Sequence, residues 1–578
     1  MNNKQIAKVF GDIADLLELK DENVFKVRAY QKAARAIEQL SVEAEQLLKE
    51  NRLREVPGVG EAIAKKTAEL VETGKLEYYE KLKAEFPAGI STFLDIPGIG
   101  PKTAMLLTGD LGIETIQDLE SAIVEGKVAQ LPRMGEKTAA NILRHIQAIR
   151  RKDKRIPIGD ALNVVDDIFA RLAKVDGVKN LVAAGSLRRF RETVGDIDLM
   201  GTTDDARSVI DAFTSLPTVK EVLAKGPTKG SVVVTSGFQV DLRIVDHDSF
   251  GSLLQHFTGS KQHNVDLRTR AVRQGLSLSE YGITVVKTGQ LEKYATEEAF
   301  YKRLGLQYIP PEIREGTDEI ERAGKGTIPR LIETGDIKGD LHVHSSWSDG
   351  RESIEAMAET AKALGYEYVC IADHSVGRGI ARGLNEERLE QQIAEVKALN
   401  RKMGGIHILT GMEVDIRSDG TLDMPDEVLE QLDVVTGSVH SGMGQTREQM
   451  TARIVRAMEN PHVDILGHPT GRLMPEREPV QVDIEAVLEA ALRTGSALEI
   501  NAMPSRLDLK DTHVFRAREL GVKLVMNTDS HSPEHFALVR FGVGLARRGW
   551  CEADDILNTK HLPDLMKHLK AKGKNNHE

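Results

Sequence analysis

The sequence predicts a multidomain chain of α and α/β architecture: an all-α N-terminal region, an α+β middle and a C-terminal parallel α/β barrel. Three observations carry that reading. At 578 residues the chain is too long for one hydrophobic core. Helical apolar spacing dominates the first quarter, and short β-rich runs mixed with helices follow it. In the last part, apolar runs alternate with amphipathic helices, and most of the runs end in His, Asp or Glu. That is the pattern of a barrel whose functional groups project from the C-terminal ends of its strands.

Taken in order, Ile6, Val9, Phe10, Ile13, Leu16 and Leu17 fall on one helical face. A degenerate repeat follows, VPGVGEAIAKKTAEL, IPGIGPKTAMLL and LPRMGEKTAANIL, and it divides the helical region into 1–85 and 86–155. The runs LVAA, DIDLM, VVVT and QVDLRIV mark strands of an α+β unit over 156–250, and a mixed unit over 251–316 ends in YIPPEIREG. The stretch 317–335 contains GKGTIP and reads as a linker. The barrel then occupies 336–578, with YVCIADH, HILTGME, VVTGSVH, DILGHP, ALEINAM and KLVMNTDSH among its runs.

Charge is divided unevenly. Residues 1–316 hold 45 Lys/Arg and 45 Asp/Glu, so the whole net charge of -11 belongs to 317–578, which also holds 13 of the 17 histidines. Acid and imidazole concentrated together point to bound cations; an ordinary acidic surface is the plain alternative. Cys370 and Cys551 form no spaced framework, and neither a leader-like N-terminus nor a membrane-length apolar run is present. These features point to a reducing cytoplasm and away from disulfide scaffolds and membrane partners.

Each P-G-x-G places two glycines between helices, where tight turning and bare backbone N–H groups are needed. Those groups, with the following helix N-terminus, can hold a phosphate oxygen. Gly58 with Gly60, and Gly98 with Gly100, fit helix-hairpin-helix contacts to duplex backbone that read no sequence. One copy alone would be an ordinary helix cap. The third copy, with Arg133, Met134 and Gly135, has lost a glycine and reads as structural.

In GSLRRFRETVGDIDLM, alternation along a strand puts Asp196 and Asp198 on one face, and a neighbouring strand through QVDLRIV can bring Asp241 beside them. Three massed carboxylates repel one another unless cations neutralise them, which is the setting for two Mg2+ or Mn2+ ions in nucleotidyl transfer. Gly185 and Ser186, at a turn into a helix, can offer N–H and hydroxyl donors to phosphates, with Arg189 adding charge.

The C-terminal part opens with GDLHVHSSWSDG. His342, His344 and Asp349 lie there, and His374, Glu413, His440, His468, Asp529 and His531 each end an apolar run. Nine ligand-type residues are too many for one ion, and imidazole mixed with carboxylate suits Zn2+, Mn2+ or Fe2+. Clustered divalent ions acidify a bridging water and neutralise the oxygens it attacks, so phosphoester hydrolysis is expected. Asp340, Asp373 and Asp415 are candidates for orienting the ligand imidazoles. Arg506, in EINAMPSRLDL, is a candidate phosphate contact.

Residues 1 to about 316, through KVRAYQKAARAI, the two P-G-x-G copies and GS followed by DID and VDLR, resemble the family X DNA polymerases of the DNA polymerase beta type. The resemblance implies an N-terminal 8-kDa-like domain, helical fingers, a nucleotidyltransferase palm and a thumb. In HFTGSKQHN it implies that Phe257, Gly259 and Asn264 line the nucleotide sugar and base. Phe190 stands where the family motif GSxRRG has glycine, and His256 where tyrosine is common before FTGS. In some relatives a lysine of the first hairpin is a Schiff-base lyase nucleophile; Lys66 falls at the matching place, while a second basic position falls at Ala62, so Lys66 reads first as a solvated helix lysine.

The C-terminal part resembles the polymerase and histidinol phosphatase (PHP) domain. That implies a distorted seven-stranded barrel with up to three Mn2+ or Zn2+ ions: one held by His342, His344, Glu413 and Asp529, a second by the bridging Glu413 with His440 and His468, and a third by Asp349, His374 and His531. Together these resemblances imply a bacterial, cytoplasmic, nucleoid-associated enzyme, monomeric by default. It would fill short gaps in primed duplex DNA carrying a 5'-phosphate, using dNTPs, and trim 3' ends in base excision repair. The alternative is a small-molecule phosphatase with a vestigial DNA-binding module, against which the three complete carboxylates speak.

Overall fold

The computed structural model describes all positions except 2, 21, 39, 41–43, 57, 87–92, 94–95, 97–98, 100, 132–133, 137, 140–141, 144–145, 147–154, 378–380 and 576–578. The chain forms two compact units, Met1–Lys154 and Arg155–Glu578.

The first unit is helical. In its opening helix, Asn3–Leu19, the residues Ile6, Phe10, Ile13, Leu16 and Leu17 are buried, as the spacing requires, and Val9 is half-buried. The following helices Val24–Glu38, Ala44–Lys49, Glu61–Thr73, Glu77–Ala84, Pro101–Gly109 and Ile116–Val124 join it. One continuous apolar cluster runs from Ile6 to Ile146, so the expected boundary near residue 85 lies inside a shared core. Gly60 caps the N-terminus of Glu61–Thr73, and Gly58 sits at φ 99, where a Cβ would lie 2.8 Å from Lys32 Cγ. Both requirements select glycine. Gly98 and Gly100 lie outside the described residues.

The second unit holds palm, thumb and barrel. The palm is a five-stranded sheet in the spatial order Lys179–Ala183, Ile197–Thr202, Gln239–Val245, Lys229–Val234, Val219–Lys225, with Ile197–Thr202 and Gln239–Val245 parallel and the other pairs antiparallel. Helix Ile158–Leu172, with Ile158, Ala161, Val165, Ile168 and Leu172 buried, belongs to its core. The thumb follows, with helices Phe250–Thr258 and Lys261–Arg273, a three-stranded sheet over Leu276–Glu292 and helix Glu297–Arg303. The 317–335 stretch is more than a bare linker: it carries helix Glu319–Lys325, and Ala323, Ile328 and Leu331 are buried in the thumb core.

Seven parallel strands then follow one another in sequence order: Gly339–Val343, Tyr368–Ile371, His407–Asp415, Val434–Ser438, Ile465–Leu466, Ala497–Asn501 and Leu524–Asn527. The first and last meet through a parallel bridge between Val343 and Ser530, and the His344 N–H donates to Ser530 O at 2.8 Å. Each strand sends one residue or two into a shared cluster, Leu341, Tyr368, Cys370, Leu409, Val434, Ile465, Ala497 and Val525, which Leu565 of the C-terminal helix also joins. Most of these stand near strand starts. Apolar packing therefore fills the N-terminal end of the barrel and leaves the C-terminal end for polar side chains.

Candidate functional site

In the palm, the parallel register sets Asp198 directly beside Asp241, and Asp196 stands just before the same strand on the same alternation. All three are half-buried. Asp241 Oδ2 accepts a hydrogen bond from Gln239 Nε2 at 3.1 Å, while Oδ1 is buried without a hydrogen-bond donor and has Lys229 Nζ at 3.9 Å. A buried carboxylate oxygen lacking a donor beside two further carboxylates fits a divalent ion.

The turn at Gly185 lies against these acids. Gly185 has φ 59, and a Cβ there would lie 2.7 Å from Asp198 Oδ2, so only glycine lets the chain pass. Ser186 follows in the short helix Gly185–Arg188. Arg189 is placed otherwise than as a free phosphate contact: its guanidinium donates to Thr258 O at 2.5 Å and to Glu315 at 3.3 Å, and burial lowers its pKa. In the thumb, the Phe257 ring has the Arg243 guanidinium 4.3 Å from its centroid. Asn264 is fixed by its amide donating to His256 O at 2.8 Å and by accepting from Gln255 at 2.8 Å, and Gly259, at φ 68, ends the helix before it. His256 stacks edge-on against Phe257 at 5.1 Å, and burial lowers its pKa.

In the first unit, Lys66 is half-buried with its ammonium 4.5 Å from the Tyr78 ring centroid. Tyr30 stacks on the same Tyr78 ring, with the centroids 6.1 Å apart.

At the C-terminal end of the barrel all nine expected ligands converge. Glu413, 1 % exposed, stands at the centre. Its Oε2 faces His342 Nε2 at 3.5 Å, His344 Nε2 at 3.7 Å and His374 Nδ1 at 2.8 Å, whereas Oε1 faces His440 Nε2 at 3.2 Å and His468 Nε2 at 2.9 Å. One carboxylate thus turns its two oxygens to two sets of imidazoles, the geometry of a bridging ligand. Asp529 Oδ1 lies 3.2 Å from His344 Nε2 and 3.9 Å from His342 Nε2. Asp349 stands between His374 at 3.5 Å and His531 at 3.4 Å.

Three ligand groups close enough for an ion emerge: His342, His344 and Asp529; His374, Glu413 and His440; and His344, Asp349, His374 and His531. Both ring nitrogens of His344 and the Nε2 of His342 are buried without hydrogen-bond partners. Orphaned imidazole nitrogens facing carboxylates are what metal ions would satisfy. Burial and the neighbouring His531 and His374 lower the His344 pKa to about 3, which keeps it a neutral ligand. Burial would raise Glu413 and Asp529, yet the imidazoles around them hold both carboxyls well below their ordinary range.

The supporting groups differ in part from the sequence reading. Asp415 does orient an imidazole, accepting from His440 Nδ1 at 2.5 Å. Asp340 instead binds the His342 N–H and the Thr528 N–H and hydroxyl. Asp373 holds Ser345, Ser348 and Gln392, fixing the loop that carries Asp349. The residue that orients His342 is Glu499, which was not singled out: its Oε1 lies 2.7 Å from His342 Nδ1, and its Oε2 accepts the His468 N–H at 2.6 Å. A glutamate inside the apolar run ALEIN was the available signal. Arg506 stands with Nε 3.6 Å from Asp529 Oδ2, its Nη1 buried without a partner.

The fold and these two centres define a nucleotidyltransferase palm and thumb joined to a PHP-type metal centre. Family models agree: Helix-hairpin-helix domain over 1–76, SAM-like Helix-hairpin-helix tandem over 90–148, DNA polymerase beta thumb over 253–315 and PHP domain over 340–503. The chain is 41 % identical over 572 residues to the DNA polymerase/3'-5' exonuclease PolX of Bacillus subtilis, covering 99 % of this chain and 100 % of that protein. It is also 30 % identical over 244 residues, 40 % of this chain, to probable phosphatases of Thermoanaerobacter sp. and Thermoanaerobacter pseudethanolicus, covering 94 % of each. The chain belongs to the family of DNA polymerase/3'-5' exonuclease PolX.

Proposed function

We propose that this DNA polymerase and 3'-5' exonuclease fills short gaps in base excision repair, with the two chemistries at separate centres of one compact unit. The observation that carries the reading is the gathering of candidate ligands at two places, three carboxylates in the palm and nine His, Asp and Glu side chains at the barrel mouth. The three carboxylates would hold two Mg2+ or Mn2+ ions, and the barrel ligands up to three Mn2+ or Zn2+ ions. When bound, such ions activate an attacking oxygen and neutralise the phosphate.

The remaining work falls to the chain itself. Gly185 and Ser186 bring backbone and hydroxyl donors beside Asp198, where the dNTP phosphates would lie. Phe257, Gly259 and Asn264 would line the sugar and base, with Arg189 bracing that segment from beneath. Gly58 and Gly60, with Gly98 and Gly100 in the second copy, would hold the duplex backbone. Lys66 beside Tyr78 is the one candidate lyase nucleophile carried over from the family, with a 5'-phosphate as its neighbour on the DNA. Asp349, His374 and His531 would complete the third ion's shell, and Arg506 would meet the phosphate. No described helix is long and apolar enough to cross a membrane. We take the enzyme to be a cytoplasmic, nucleoid-associated monomer.

Primer extension on a one-nucleotide gapped duplex tests the assignment. Asp241→Ala is expected to abolish dNTP incorporation and leave 3' nucleotide release intact. His440→Ala is expected to do the converse. Equal 3' degradation by His440→Ala and the unaltered protein would remove the barrel from the exonuclease.

A further inference from the structure

Loop 501–508 carries Arg506 past the barrel mouth, and it rests on the palm at two points. The first is a strut. Arg472, whose side chain is 6 % exposed, donates from Nε to Arg506 O at 2.7 Å and from Nη2 to Leu507 O, and its Nη1 meets Glu192 Oε2 of the palm at 2.9 Å. Every arm of the guanidinium is therefore used, two on the loop and one on the palm. The second is a close approach. A Cβ on Gly159, in the first turn of palm helix Ile158–Leu172, would fall 2.8 Å from Pro504 Cβ. The two supports are joined, because the Ile158 N–H donates to Glu192 O at 2.9 Å.

What the loop delivers is a guanidinium at the metal centre. Arg506 Nε lies 3.6 Å from Asp529 Oδ2, and its buried Nη1 has no partner among the described residues. An arginine head placed against a carboxylate with a nitrogen to spare is suited to a phosphate oxygen, and its usefulness depends on placement within a fraction of an ångström. Barrel contacts hold the ends of the loop, the Met474 N–H donating to Ser505 O at 2.5 Å and the Thr470 N–H to Asp508 Oδ2 at 2.9 Å, while the stretch that carries Arg506 is braced from the palm, since Arg472 is itself anchored by Glu192.

We propose that Glu192 and Gly159 of the palm are positioning residues of the exonuclease centre, acting through Arg472 and Pro504 on Arg506. The proposal rests on the assignment of the barrel mouth as that centre.

The test is a double-mutant cycle on the full-length protein, read as kcat/KM for Mn2+-dependent release from a 3'-labelled primer, with bound Mn2+ counted by titration. Glu192→Gln is expected to lower kcat/KM about tenfold without loss of Mn2+. In an Arg506→Ala background the same change is expected to have no further effect, because the positioned group is gone. Gly159→Ala, which pushes Pro504 rather than breaking an ion pair, is expected to behave alike and serves if Glu192→Gln fails to fold. Unchanged release by both palm variants would overturn the proposal, as would an equal further loss in the Arg506→Ala background, the mark of a general structural defect. Retention of release by His440→Ala would instead overturn the site assignment beneath it.

Discussion

At the scale of single residues, the barrel mouth shows how a side chain outside the candidate ligand groups can matter. Glu499 is fully buried, accepts from His342 Nδ1 and from the His468 backbone, and is bonded in turn by Asn527 Nδ2 at 3.1 Å. It fixes which His342 nitrogen faces Glu413 and where the His468 strand end lies. Glu499→Gln keeps the shape but removes the charge that orients the imidazole, so Mn2+ affinity is expected to fall by roughly 10- to 100-fold. A competition titration with a coloured chelator measures it, and unchanged affinity would reduce Glu499 to a packing residue. The gathering of the candidate ligands was legible because most of them end an apolar run, which places them at the mouth of a barrel. Glu499 was not, because a glutamate two residues before a strand end looks the same whether it binds an ion or an imidazole. Asp340 and Asp373 were legible as acids near ligands, but their partners are backbone and hydroxyl groups that no spacing rule specifies.

At the scale of elements, the thumb is tied to the palm by a buried charge cluster. Glu297 accepts from Arg188 of the short palm helix at 2.6 Å and from Arg314 at 2.5 Å, and Arg314 is fully buried. Burial alone would raise the Glu297 carboxyl, but Arg314 and Arg188 override it and hold the pKa at about 2. A depressed carboxyl contributes stability that is fully present above its unfolded value and is lost as pH falls through the folded value. The window is therefore about pH 4.5 down to 2, and the gap corresponds to roughly 3 kcal/mol. Glu297→Gln is expected to destabilise the protein strongly at neutral pH, since the buried Arg314 and the half-buried Arg188 lose their counter-charge. The difference from the unaltered protein should shrink on acidification from pH 5 to 2, as followed by thermal melts; a constant difference would exclude the ion pair as its source. The same element shows what the sequence withheld. The 317–335 stretch reads as a linker because GKGTIP punctuates it, yet Glu319 within it holds the buried His263 at 2.8 Å. Its helix is recognisable only once the thumb core it completes is known.

At the scale of the whole second unit, palm and barrel share one continuous apolar cluster, although the sequence reads as two separate folds. The reason lies in residues about 350 positions apart. Phe190 occupies the place of a motif glycine and keeps the backbone a glycine would choose, φ 58, at a cost near 1 kcal/mol or somewhat more. Its ring is seated over Gly544 in barrel helix Val539–Arg548, where a Cβ would lie 2.2 Å from Phe190 Cδ1, and it contacts Phe541 at 6.1 Å between ring centres. Beside it, Arg548 donates to Arg189 O at 2.7 Å and to Glu315 at 2.8 Å. The departure from the motif is thus legible as a departure but not as a docking device, because its partner is a glycine with no signature of its own. This complementarity predicts a reversal of sign. Gly to Ala inside a helix ordinarily stabilises by up to about 1 kcal/mol. Gly544→Ala should instead destabilise the unaltered chain, because its Cβ enters the Phe190 ring. In a Phe190→Gly background, where the ring is gone and φ 58 carries no penalty, the same Gly544→Ala should stabilise. Calorimetric melting of the four proteins gives the cycle directly, and a Gly544→Ala effect of one sign in both backgrounds would show that Phe190 is not what joins the polymerase to the barrel.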